Sequence, residues 1–176
     1  MATIVDSYSE SNQSLNRPLY NGSTIKYGQS FTGDGGTLNS VKFYLYKTGS
    51  PTGNVIAAIY AHSGTFGTNS VPTGSALATS DNFDVSTLTA SYQLISFTFS
   101  GANKITLTNG TYYVVVVEYG GGDSSNRLQV GYDTSSPTHS GNESFYVSSW
   151  NYLVDGDACF YVYKDLVGPF PTHFNP

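Results

Sequence analysis

Three histidines, His62, His139 and His173, and a single cysteine, Cys159, are the residues best suited to nucleophilic or metal chemistry in this chain. A hydrolytic triad needs Ser or Cys beside His and a carboxylate. Each histidine sits in a stretch that reads as loop or tail, and none adjoins a nucleophile motif. Cys159, within Ala158-Cys159-Phe160-Tyr161-Val162-Tyr163, falls in a strand-like run and reads as a small buried hydrophobe. Being alone, it forms no intrachain disulfide. Glycoside hydrolysis requires two opposed carboxylates, and the spacing of Glu10, Asp84, Glu118 and Glu143 singles out no pair. The expectation is a protein that is not an enzyme and has no obligate cofactor.

Binding chemistry has better candidates. Asp155-Gly156-Asp157 places two carboxylates around a flexible glycine. Hard cations take clustered oxygen ligands, so calcium is the metal such a pair would hold; the alternative is a solvated turn, because the spacing of a twelve-residue calcium loop is missing. Tyr44, Tyr46 and Tyr60 fall on the polar-facing phase of strand-like runs, and Trp150 with Tyr152 lies in what reads as a loop at one end. Exposed rings of this kind act as apolar platforms for sugars. The competing reading is cross-strand packing, or a face covered by a neighbouring subunit. In the last segment, Phe170 and Phe174 stand among prolines that forbid a central strand, so this segment is expected to be an extended arm that docks on a neighbour or on its own domain.

The elements that must position these residues are strands. Val41-Lys42-Phe43-Tyr44-Leu45-Tyr46-Lys47 alternates cleanly, and Val55, Ala57 and Ile59 resume the period after Thr48-Gly49-Ser50-Pro51-Thr52-Gly53, which predicts a hairpin. A long loop is expected over residues 63 to 74, ahead of a short strand near Leu77. Further strands are predicted at 92–99, 105–107, 111–119, 128–132, 144–147 and 158–163, with weaker ones at 4–8 and 24–31. Residues 112 to 119 are apolar on both faces, the mark of a central strand covered on both sides. No helical period appears. The prediction is one all-β domain over residues 1 to 164, a single antiparallel β-sandwich of jelly-roll type with about nine or ten strands, followed by a C-terminal arm over residues 165 to 176.

Composition agrees and excludes some partners. Charged residues make up 11% of the chain, well under the ~25% usual for globular proteins, whereas aromatic residues make up 15%. A net charge of −5 with seven scattered basic residues argues against binding a phosphate backbone. No run approaches the ~20 apolar residues of a spanning helix, and the first residues lack the basic start and apolar middle of a secretory signal.

Several segments also carry a family likeness: Gly28-Gln29-Ser30-Phe31-Thr32, Gly36-Thr37-Leu38-Asn39-Ser40-Val41, Ser50-Pro51-Thr52-Gly53-Asn54-Val55, Ile59-Tyr60, Gly74-Ser75-Ala76-Leu77-Ala78 and Asn109-Gly110-Thr111-Tyr112-Tyr113-Val114-Val115. Over about residues 28 to 164 the chain resembles the choice-of-anchor β-sandwich domains of bacterial and archaeal surface proteins. The resemblance implies a jelly-roll module that is displayed on a cell surface or a virus particle, and it supplies no catalytic residue. The expected function is therefore a non-enzymatic structural or decorating protein of a virion or other extracellular assembly, partnered by other subunits as a homo-oligomer or on a particle surface. The alternative is a carbohydrate-binding or adhesion module that uses an aromatic face.

Overall fold

Alternation at residues 41–47 becomes a strand whose two sides differ sharply: Val41, Phe43 and Leu45 are fully buried, whereas Lys42, Tyr44 and Tyr46 are half-buried on the other side. The computed structural model describes residues 2–166. Its strands, in chain order, are β1 (Ala2–Tyr8), β2 (Leu15–Leu19), β3 (Lys26–Thr32), β4 (Leu38–Thr48), β5 (Asn54–Ser63), β6 (Val71–Thr79) and β7 (Phe83–Asp84). They continue as β8 (Gln93–Thr98), β9 (Tyr112–Glu118), β10 (Arg127–Asp133), β11 (Glu143–Tyr146), β12 (Trp150–Leu153), β13 (Asp157–Ala158) and β14 (Phe160–Asp165). Phe170 and Phe174 lie outside the described residues.

Two antiparallel sheets result. The first runs β1-β14-β4-β10-β13, with β2 also on β10 and β8 also on β4; the second runs β12-β11-β3-β9-β5-β6, with β7 on β5. The chain passes back and forth between them, so the sandwich of jelly-roll type is present. Its core lies between the sheets, built around Tyr27, Phe31, Phe43, Phe97, Phe160 and the inward-facing Val115 and Val117. β9 is central in the second sheet, as its two-sided apolar character requires. Its outward residues Val114 and Val116 are covered by Ala58, Tyr60 and Trp150 in a second, smaller apolar cluster. Strands β6 and β12, at opposite edges of this sheet in pairing order, pack beside each other, so the sheet curls over its own outer face around that cluster.

Several sequence expectations are corrected. Strands β4 and β5 do not form a hairpin; they belong to opposite sheets. Alternation is identical for a hairpin and for an arch between sheets, and here the connecting turn is committed elsewhere. Gly49 has φ +68° and leaves no room for a Cβ, which would collide with the Ser125 carbonyl oxygen, and the Ser50 amide donates to Asn126 Oδ1 at 2.9 Å. The expected loop over 63–74 is shorter, because β6 already begins at Val71. Residues 105–107 make only a single bridge, between Thr106 and Thr37. Fourteen strands appear where nine or ten were expected, the additions being short. One of them, β2, contains Pro18 and was masked by it, yet it pairs only with β10 at the sheet's edge, where a missing amide is tolerated.

Polar groups stitch the sheets together inside the sandwich. Arg17 of β2 donates to Glu143 Oε1 of β11 at 2.8 Å, and the Tyr27 hydroxyl of β3 donates to the other oxygen of the same carboxylate. Glu143 is fully buried, and the guanidinium is sandwiched by Tyr27, Tyr132 and Phe145, 4.2 Å from the Phe145 centroid. Gln29 of β3 bridges similarly to β13, donating to Asp157 Oδ1 and accepting from the Ala158 amide, each at 2.9 Å. Breaking one partner of a buried ion pair strands the other, at about 3–5 kcal/mol. Accordingly, Glu143→Leu and Arg17→Met should each destabilise by about that much, and the double variant Arg17→Met/Glu143→Leu should lose clearly less than their sum, as read by urea denaturation in a double-mutant cycle.

Two buried carboxylates respond to acid in opposite senses. Burial raises the Glu143 pKa, with Arg17 and Tyr27 pulling it partly back, so its protonation favours the fold and this contribution fades as pH rises through the raised value. Asp133 is 2% exposed, and burial acts to raise its pKa too. Hydrogen bonds from Ser135 (2.8 Å from its amide, 2.6 Å from its hydroxyl), Ser14 (2.7 Å) and Tyr8 (2.8 Å) outweigh burial and hold it well below the usual carboxylate range. Its stabilisation is complete above the ordinary aspartate pKa and is lost as pH falls below it. Asp133→Asn should lower stability at neutral pH by on the order of 2 kcal/mol and flatten the acid limb of the stability profile, measured by denaturation across pH.

Candidate functional site: a tyrosine face

Outward-facing positions of the first sheet gather tyrosines from two strands and a loop. Tyr44 and Tyr46 belong to β4; Tyr92 precedes β8, in phase with the outward Leu94 and Ser96; Tyr161 and Tyr163 of β14 extend the row across Lys42, whose ammonium lies 5.1 Å from the Tyr163 centroid. The centre of this face is a three-ring nest. Tyr44 and Tyr92 stack at 4.5 Å with planes 14° apart, and Tyr46 meets Tyr92 edge-on at 4.5 Å.

Gly131 of β10 makes the nest fit. A Cβ there would stand 3.1 Å from each of three atoms: Tyr44 Cδ1, Tyr92 Cε1 and Gln13 Cγ. The two rings and the Gln13 stem therefore converge on bare backbone. Gln13 donates to the Leu15 carbonyl at 2.9 Å and to the Tyr92 hydroxyl at 3.3 Å. Alongside, Gln129 accepts from Asn16 Nδ2 at 2.9 Å and donates to Thr48 Oγ1 at 3.2 Å, which orients the exposed Asn16 amide beside the rings. Burial, and then the neighbouring tyrosines, push the Tyr92 hydroxyl well above its usual pKa, so it stays neutral. The result is an uncharged patch of half-buried rings bordered by amides.

Of the residues marked from sequence, Tyr44 and Tyr46 share this face and Tyr60 does not. Tyr60 lies on the outer side of the second sheet and is 8% exposed. Its hydroxyl donates to Glu118 Oε1 at 2.6 Å and accepts from Lys26 Nζ at 3.2 Å, and its ring meets Trp150 edge-on at 6.4 Å. Trp150 and Tyr152 are strand residues of β12, not loop residues, and only Tyr152 stays well exposed. Tyr92, Gln13, Asn16 and Gly131 were missed. The phase of Tyr92 was readable from Leu94 and Ser96, but the pairing of β8 with β4 was not.

Asp155 and Asp157 do not share one environment: Asp155 is exposed, whereas Asp157 is buried with both oxygens engaged, Oδ1 by Gln29 and Oδ2 by the His139 amide at 2.9 Å. No cluster of three or more metal-ligating side chains occurs among the described residues. His139 accepts from the Gly141 amide at Nδ1 and faces Asp6 Oδ1 through Nε2 at 3.1 Å, which leaves neither nitrogen to activate a nucleophile. His62 reaches Ser70 Oγ at 3.0 Å, but Ser70 is fully buried and, among the described residues, no carboxylate bonds His62. Cys159 is buried where β4 exchanges β14 for β10 as its neighbour, and burial pushes its thiol up to about 12.

Gly131→Val should push Tyr44 and Tyr92 apart, with a change in the near-ultraviolet circular dichroism of the tyrosines and a loss of about 1–3 kcal/mol of stability from overpacking.

No family model matches the chain, and no curated protein matches it. Among solved structures it is similar to the cysteine protease and lectin-like domains of Cwp84, a surface layer associated protein of Clostridium difficile, at 16% identity and a TM-score of 0.46. The match covers 81% of this chain and 32% of that one.

Proposed function

We propose that this protein is a non-catalytic carbohydrate-binding module, displayed on a cell or particle surface, that holds neutral glycans against the Tyr44-Tyr46-Tyr92 nest. The observation that carries the reading is the nest itself: stacked, half-buried rings fixed over Gly131, with the Gln13 and Asn16 amides at their border. Sugar rings present apolar C–H faces and hydroxyls that both donate and accept, so stacked aromatics and amides are the matching chemistry. Tyrosine also loses little conformational entropy on binding, since its ring is already packed.

The other reading open at the sequence level, attachment through the arm, draws on Phe170 and Phe174, which lie outside the described residues. Tyr60 and Trp150 contribute to the second cluster instead of this platform, and Tyr152 stands apart on β12.

A glycan array followed by calorimetry tests the proposal. Binding to at least one neutral polysaccharide is expected, and Tyr44→Ala or Tyr92→Ala should weaken it about ten-fold, equivalent to about 1.4 kcal/mol. No binding above background, or equal binding by the variants, would overturn it. A dimer in light scattering that Tyr44→Ala dissociates would reassign the face to subunit packing.

A further inference from the structure

A cleft opens at the end of the second sheet, on the opposite side of the sandwich from the tyrosine face. It encloses about 320 Å3 between Ile25, Lys26, Asn54, Ile56, Asn82 and Glu118. Ligand pockets run roughly 300–1,000 Å3, so this one suits a molecule no larger than a single sugar ring.

Its chemistry is set by an ion pair that is already complete. Lys26 Nζ lies 2.9 Å from Glu118 Oε2, and both groups are tied to the Tyr60 hydroxyl, which donates to Glu118 and accepts from Lys26. Burial works against the Lys26 ammonium, but the hydrogen bonds to Glu118 and Tyr60 outweigh it and hold the pKa above the ordinary lysine value. Lys26 and Glu118 thus neutralise each other's charge and are fixed in place by the second apolar cluster beneath Tyr60. A carboxylate entering the cleft would meet the Glu118 carboxylate, and an ammonium the Lys26 ammonium, each as a like charge. What remains unused is one N–H of Lys26, the second lone pairs of Glu118 and the side-chain amides of Asn54 and Asn82, for which no protein partner is found among the described residues. Ile25 and Ile56 supply apolar walls.

Unpaired donors and acceptors around a neutral centre, with apolar sides, match a ligand whose groups both donate and accept and which carries no charge. We infer that this cleft is a second binding site, for one ring of a neutral, polyhydroxylated ligand, with Glu118 and Lys26 contacting adjacent hydroxyls and the Asn54 and Asn82 amides at the rim. It is separate from the tyrosine nest, which lies on the other sheet, so the two proposals stand or fall independently.

The test uses the full chain labelled with 15N and titrated with methyl glucoside, methyl mannoside and N-acetylglucosamine, with acetate and methylammonium as charged probes. Saturable shifts in the millimolar range are expected at the side-chain amides of Asn54 and Asn82, and at the backbone amide of Gly120, which also lines the cleft, for at least one sugar, and not for the charged probes. Ile56→Trp, which fills the cleft from a half-buried position, should weaken that response at least about ten-fold, whereas Tyr44→Ala should leave it intact. The inference is overturned by no saturable shift at these amides with any sugar, by equal shifts with acetate or methylammonium, or by undiminished affinity in Ile56→Trp. Because the wild-type chain alone gives the mapping, a poorly folded variant does not blunt the result.

Discussion

Arg17, Glu143 and Tyr27 form the link on which the arrangement of both outer faces depends. Sheets that pack through apolar side chains alone tolerate small slips, because dispersion is not directional. A buried carboxylate is different: it must receive its hydrogen bonds from fixed directions or lose several kcal/mol. Glu143 receives one from β2 of the first sheet and one from β3 of its own. That ties β2, which its backbone ladder sets on β10 with Asn16 opposite Gly131, to β11 of the other sheet, and it holds β11 against β3, so β12 can bring Trp150 over the second sheet. Gln29 with Asp157 and Ala158 repeats the same device one strand over, and Asp6 with Thr32 and His139 repeats it at the edge.

With the sheets so registered, their outer faces go separate ways. The first stays open among the described residues, and its outward positions carry half-buried rings and amides. The second curls until β6 and β12 meet, closing Val114 and Val116 behind Tyr60 and Trp150. The apolar outward side of β9 requires such cover, since two fully exposed valines in mid-sheet would each forfeit about 1.5–3 kcal/mol of burial. Curling leaves an opening at the strand ends, and Lys26 and Glu118 line it.

How much of this was legible in the sequence follows from what period-two alternation encodes. It reports which side of a strand a residue occupies, so Val41, Phe43 and Leu45 were readable as core, Tyr44 and Tyr46 as outward, and residues 112–119 as a central strand. Alternation carries nothing about which strands are neighbours. Tyr60 has the same outward phase as Tyr44, and only the arch between β4 and β5 places it on the far side of the molecule. Long-range pairing of β8 with β4 likewise brings Tyr92 onto Tyr44, across a separation that no local pattern spans. The Asp155-Gly156-Asp157 motif was ambiguous for a related reason: its spacing is local, but Asp157 is held by Gln29 and His139, from distant parts of the chain.

Gly131 shows how the fold turns placement into function. In a strand interior glycine is costly, weakening the strand and leaving no side chain to pack. Here its bare backbone lets Tyr44 and Tyr92 lie stacked against the sheet, with Gln13 closing the third side. Rings held this way have few rotamers left to lose, so a ligand that stacks on them gains contact without the ordering penalty that free side chains exact. With only 11% of its residues charged and a net charge of −5, the protein has little long-range attraction to offer the neutral sugars proposed as its ligands. Its affinity must come from contact geometry fixed in advance, which makes the unsubstituted Cα at Gly131 as much a part of the site as the rings above it.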